Sequence, residues 1–298
     1  MRDTLHITSG DCAGDRLAKT SIPGEVLVWR DMLYHGPRNP GWPAGGTLEA
    51  RAQFLEQVTG GGLPRAHILD TLKSQYQKLA AAADYERLVL WFDACLLDQS
   101  MLVHILACLL HQGILNVELL CVDAFPGIVP FNGLGQLQPS QLASLYDRRR
   151  PVTDVQLQFA KLVDMAFASQ DLTLLDELSR RADAPLPWIP AAVTRWLQEQ
   201  PDPVTGLGRL ESLAWEAIRD GCQDPSGIFS IVAVADTPPQ YWGDITLWAK
   251  INALADRRPP LVRIEGPAER LPQWKSPLDL KHFRVKALSN TPAAGGSQ

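Results

Sequence analysis

Asp11, Asp93 and Asp98 each stand where the chain passes from an apolar stretch into polar residues. Carboxylates gathered this way hold a divalent cation through their oxygens and bound water, and Mg2+ so held would support hydrolysis or group transfer on a phosphorylated substrate. Asp11, Asp93 and Asp98 are therefore the candidate metal ligands, with Asp11 and Asp93 also candidate catalytic groups. His35, in a loop rich in proline and glycine, is the candidate general acid or base. Ser9, Gly10, Arg30, Asp31, Asp98, Gln99 and Asp123 form the candidate ligand-binding set. In it Arg30 would counter anionic charge, and Ser9 and Gly10 would offer hydroxyl and backbone contacts. A structural reading competes with this one, because Ser and Asp before a helix often do no more than cap it.

The known phosphate-binding signatures are missing. Ser9-Gly-Asp-Cys-Ala-Gly-Asp15 has neither the glycine offsets of a dinucleotide fingerprint nor the Gly-Lys-Ser/Thr ending of a phosphate loop. Asp11 and Asp15 would repel a bare phosphate unless a metal or an arginine offset them. No Gly-x-Ser-x-Gly elbow or Ser-His-Asp order is present. Cys12 and Cys95 would be nucleophiles only if a helix N-terminus lowers their pKa, against the commoner role of cysteine as a small buried hydrophobe. His6, inside a strand, reads as hydrogen-bonded core or as a catalyst.

The elements that must position these residues follow from the apolar pattern. Leu5 and Ile7 alternate with His6 and Thr8 as a first strand. A helix over Asp11 to Lys19 comes next, and Glu25 to Trp29 is a second strand with Arg30-Asp31 at its end. Tyr34 to Pro43 holds three prolines and two glycines, cannot be helical, and is either a lid over a crevice or a packed surface loop. Helices are predicted at Thr47 to Val58 and Pro64 to Ala83, separated by Gly60-Gly-Gly62. Arg87 to Phe92 is continuously apolar, as a central parallel strand should be. Asp93 to Gln99 reads as its polar turn, Ser100 to His111 as a helix, and Asn116 to Val122 as a strand ending in Asp123. The fold class is thus α/β, a Rossmann-like parallel sheet followed by a mainly helical C-terminal domain with a winged-helix-like end. The polar turns fall at strand carboxyl ends, where open α/β sheets bind ligands.

The chain has 298 residues, 46% of them hydrophobic and 20% charged, with a formal net charge of −5. That balance disfavours a surface devoted to nucleic acid. Five cysteines at scattered positions match no zinc spacing and read as reduced thiols, so the expected compartment is cytoplasmic. No apolar run is long enough for a membrane span, and no secretory signal is seen at Met1-Arg-Asp3. The predicted domains are 1–127, an α/β ligand-binding domain; 128–205, a helical connection; 206–290, a winged-helix-like domain; and 291–298, a disordered tail. Arg148-Arg-Arg150 is a basic knot, either solvated or a contact for an anion. Helices near Gly206 to Gly221, one begun by Asp224 to Phe229, and one at Tyr241 to Ala255, then β-like runs at Leu261 to Glu265 and His282 to Ala287, follow the order of a winged helix. Its third helix carries Lys250 but also Asp244, Trp248 and Leu254, which suits packing or dimerisation better than a DNA groove. The expected partner is a small polar or phosphorylated metabolite. A homodimer is a further expected partner, and the competing expectation is a ligand-sensing regulator or interaction protein whose last domain binds DNA or a protein.

His6-Ile-Thr-Ser-Gly-Asp11, Val26-Leu-Val-Trp-Arg-Asp31 with Gly36-Pro37, and Trp91-Phe-Asp-Ala-Cys-Leu-Leu-Asp-Gln99 resemble an uncharacterised bacterial family, domain of unknown function 1835. The resemblance covers about the first 125 residues, and Gly243-Asp244 with Pro260-Leu261 resemble the region that often accompanies it. It implies a real module without naming an activity. Cys12 stands where a serine or similar small residue is expected, which weakens any mechanism built on a hydroxyl there.

Overall fold

A computed structural model describes residues 2–288, so the predicted tail 291–298 lies outside the described residues. The chain divides into two compact units. The first comprises residues up to Leu55, 65–195 and 238–241; the second comprises 56–64, 196–237 and the chain from Trp242 on. Residues 128–195, predicted as a connection, fold within the first unit.

The first unit is mixed α/β. Its elements are β1 (Arg2–Ser9), α1 (Asp11–Leu17), β2 (Glu25–Trp29), most of α2 (Thr47–Val58), α3 (Arg65–Ala80), β3 (Tyr85–Asp93), α4 (Leu96–His111), β4 (Val117–Val122), α5 (Pro139–Leu145), β5 (Arg150–Pro151), α6 (Asp154–Ser169), α7 (Leu172–Ser179) and α8 (Ile189–Leu197) up to Arg195. The strands form one sheet in the order β2-β1-β3-β4-β5, in which β1 to β4 pair in parallel and β5 runs antiparallel to β4. The two-residue β5 includes Arg150 of the predicted basic knot. Arg149 beside it is spent on Glu118, at 2.9 Å, and lies 3.8 Å over the Tyr146 ring.

Side-chain alternation decides what each face of the sheet carries. His6, Thr8, Val89, Trp91 and Asp93 share one face, because His6 pairs with Val89 and Thr8 with Trp91. Val89 and Trp91 there pack with Leu134, Leu137, Leu142 and Leu145. The other face carries Leu5, Ile7, Leu88, Leu90 and Phe92, all buried. α4 is buried on nearly every side, from Leu96 through Leu109, as expected of a helix apolar all round, and α6 packs on it.

The order β2-β1-β3 sets the place of a ligand crevice. The chain leaves β1 for β2 on one side, then crosses back to β3 on the other, so the connections diverge between the carboxyl ends of β1 and β3. Open parallel sheets bind ligands at such a divergence. Ser9 ends β1 there and Asp93 ends β3.

In the second unit, α9 (Arg209–Arg219), α10 (Pro225–Ala235) and α11 (Asp244–Asp256) precede β6 (Val262–Glu265) and β7 (Arg284–Ala287), which pair antiparallel. Among the described residues no helix is long and apolar enough to cross a membrane.

Candidate functional site

The structure brings Ser9, Asp93, Asp98 and Gln99 together. α4 begins at Leu96, four residues earlier than Ser100, so Asp98 and Gln99 lie in its first turn and not in a loop. The reason is the cap: the Cys95 sulfur accepts the Asp98 N–H at 3.5 Å, and the Gln99 N–H reaches the Cys95 carbonyl at 2.9 Å. A cysteine is an unusual cap, which is why the sequence pattern delayed the helix to Ser100.

Asp98 is 2% exposed and accepts hydrogen bonds on both oxygens, from Ser9 Oγ and from the Asp93 backbone N–H at 2.7 Å. Asp93 Oδ1 accepts the Cys95 N–H at 2.9 Å. Gln99 Nε2 donates to the Asp93 carbonyl at 2.6 Å and to Cys121 Sγ at 3.3 Å, which leaves Gln99 Oε1 buried with no hydrogen-bond partner. The Asp93 carboxyl also fixes what can pass over it: Gly133 has φ +124°, and a Cβ there would run into Asp93 Oδ2. This cluster ties the ends of β1 and β3 to α4 at the divergence point.

Burial governs its electrostatics. Desolvation pushes the Asp98 carboxyl well above its ordinary value, and the neighbouring Asp93 adds to the rise. Asp93 is raised for the same first reason. Two carboxyls this close and this dry disfavour each other's charge, so the rise at Asp98 is the larger. The Cys95 thiol is pushed well above its usual range by burial and by both aspartates, so it is a capping group and not an activated nucleophile. Cys12 is exposed.

The predicted Mg2+ set does not assemble. Asp93, Cys95 and Asp98 have ligand atoms within 4.8 Å of one another, and Asp11 is not among them. Asp11 is exposed and bound to Arg30, Nε to Oδ1 at 2.8 Å. A buried thiol, and carboxyls already accepting from Ser9 and from backbone N–H groups with no room for water, are a poor fit to an ion that demands oxygen ligands and retained water.

The other predicted residues have distinct fates. Asp31 is buried and faces Arg51, whose Nη2 lies 2.7 Å away and also donates to the Met32 carbonyl at 2.6 Å, while Arg51 Nη1 donates to the His35 carbonyl. Asp31 is thus an anchor for the chain after β2 and not a ligand group at the rim. His35 is exposed, with its ring edge-on to Phe54 at 5.3 Å. Asp123 and Gly10 are exposed at the ends of β4 and β1. His6 is core: Trp91 Nε1 donates to its Nδ1 at 3.1 Å, so Nε2 carries the hydrogen given to the Pro23 carbonyl, and burial lowers its pKa.

Sequence reasoning missed a second buried polar system. Arg38 Nη1 lies 2.6 Å from Asp164 Oδ1, the Gly41 N–H donates to Oδ2 at 2.5 Å, and His104 Nδ1 is 3.1 Å from Oδ1. Tyr76 Oη is 2.6 Å from His104 Nε2, and burial pushes the phenol up to about 12, so it keeps its proton. Of the two readings of Tyr34 to Pro43, these bonds select the packed loop over the lid. The one signal in the sequence was Asp164 itself, a charge set among the apolar residues of a helix.

No protein-family model and no curated protein matches this chain.

Proposed function

We infer that the first unit binds a small phosphate-bearing metabolite at the carboxyl rim of its sheet, with Arg30 as the anion contact and the Ser9-Gly10 turn as the backbone contact. The supporting observation is the Arg30–Asp11 pair. It stands directly after β1 and β2 with side chains 50% and 61% exposed. An exposed ion pair is worth under about 1 kcal/mol, so a dianionic phosphate can take over the guanidinium from a single carboxylate. Beside it, Gly10 turns the chain at φ +68°, and no side chain caps the helix that follows. The Rossmann-like assignment and the resemblance to the uncharacterised family belong to this reading. Binding is favoured over catalysis because Asp93 and Asp98 are committed to holding the strand ends. The test is calorimetric titration of phosphorylated sugars and nucleotides into the full chain and into Arg30→Ala. Loss of binding in the variant supports the reading; a panel that never binds, or binds both proteins equally, ends it.

A second reading concerns the C-terminal unit, a winged-helix-like module for a protein partner. Its three helices and paired strands run in the required order. Lys250 on α11 is 3.4 Å from Glu211 and 3.7 Å from Glu199, so its charge is spent within the unit and is poorly placed for phosphate contact. A mobility shift on random duplex DNA at low salt should show no complex.

A further inference from the structure

The Gly60-Gly-Gly62 triplet does more than stop a helix. It forms one wall of a cavity in the second unit whose opposite wall is the segment 270–278. The two walls approach so closely that a Cβ on Gly62 would overlap the Trp274 carbonyl, and one on Gly60 would meet the Gln273 side chain. Asn252 of α11 clamps the second wall from both sides, accepting the Leu271 N–H at 2.7 Å and donating to the Leu271 carbonyl at 3.1 Å. The cavity is about 540 Å³, within the range of pockets that hold small molecules.

Its chemistry is specific. Arg270 and Lys275 line it, and among the described residues no carboxylate does. Arg270 is anchored from outside by Asp256, 2.6 Å away, and remains 61% exposed. Trp274 is 44% exposed, a large flat apolar surface left open on a lining residue. Two cations and an open indole select a flat ring carrying an anionic group.

We propose that this cavity binds an aromatic anion of mononucleotide size, the ring stacking on Trp274 and the anionic group meeting Arg270 and Lys275. The site is separate from the rim of the first unit and does not depend on that reading. The test is calorimetric titration of AMP, CMP and phenyl phosphate, with adenosine and inorganic phosphate as partial ligands, into the full chain. At least one of the three complete ligands should bind, with adenosine and phosphate each tenfold weaker or more. Arg270→Ala with Lys275→Ala should weaken binding at least tenfold, and Trp274→Leu about fivefold, while Arg270→Lys with Lys275→Arg stays within threefold. Each variant is melted first; should the alanine pair fail to fold, the exposed Trp274→Leu carries the test. Arg30→Ala should leave this binding unchanged. The proposal is overturned if none of the three ligands binds, if the folded alanine pair or Trp274→Leu binds as tightly as the parent, or if binding disappears with Arg30 alone, which would place the ligand in the first unit.

Discussion

Arg38 and Asp164 meet through an ion pair whose side chains are only 3% and 0% exposed, 126 residues apart in the chain. The pair fastens the loop after β2 to α6. It is surrounded by partners that satisfy it, among them the Gly41 N–H, His104 and the Asp164 carbonyl, which accepts Arg38 Nη2 at 3.1 Å. A buried pair adds little net stability against an apolar replacement, yet removing one partner strands the other charge. Arg38→Met and Asp164→Ala should each destabilise the protein by about 3–5 kcal/mol in urea unfolding. A loss under 1 kcal/mol would mean that the loop is not held there.

Opposite pH slopes should separate the two buried acid systems. Burial raises Asp164, but His104, Arg38 and the Gly41 N–H overcome it and hold the carboxyl at about 2. Its contribution is therefore present above its ordinary value of 3.8 and is lost as pH falls toward about 2. Asp98 is raised, so its contribution is complete below its ordinary value and declines as pH rises toward its folded value. Urea midpoints of Asp98→Asn and the parent, taken from pH 4 to 8, should diverge in favour of the variant as pH rises. Parallel curves would show that Asp98 is already ionised.

Ser9→Ala should cost about 1–3 kcal/mol, because it leaves an oxygen of the buried Asp98 without its donor. Thermal melts at pH 6 read this directly. Ser9→Thr retains the hydroxyl and should recover part of the loss.

Gly133 should not tolerate a side chain. Its φ of +124° is a region that L residues avoid, and the Asp93 carboxylate occupies the space of a Cβ. Gly133→Ala should destabilise by about 1–3 kcal/mol, and a neutral melting result would contradict the packing of Gly133 on Asp93.

Arg30→Ala should do the reverse of the core variants. Its pair with Asp11 is exposed, so unfolding should change by less than about 1 kcal/mol while phosphate-ligand binding is lost. A large stability change would mark Arg30 as structural.

How much could be read from the chain depended on the kind of signal. The bounds of β2, Glu25–Trp29, and of α2, Thr47–Val58, match the apolar pattern residue for residue, since both begin directly after a glycine. α10, which the stretch Asp224 to Phe229 begins, continues to Ala235, because Ile228 and Val232 are buried and carry the helix on. α5 opens at Gln138, whose N–H is met by Gln141 Oε1 at 2.7 Å, a glutamine cap that no strong local signal announces.

Local periodicity and strand order of appearance were enough to determine a parallel α/β sheet with polar residues delivered to its carboxyl rim. Which of those residues meet was decided by tertiary structure alone. Asp31 had Arg30 beside it in sequence but found Arg51, Asp93 found Asp98 through a cysteine-capped turn, and Asp164 found Arg38 across 126 residues. The reason is energetic: hydrophobic periodicity is repeated many times along a segment, whereas a buried charge is satisfied by one partner whose place is set only when the elements pack.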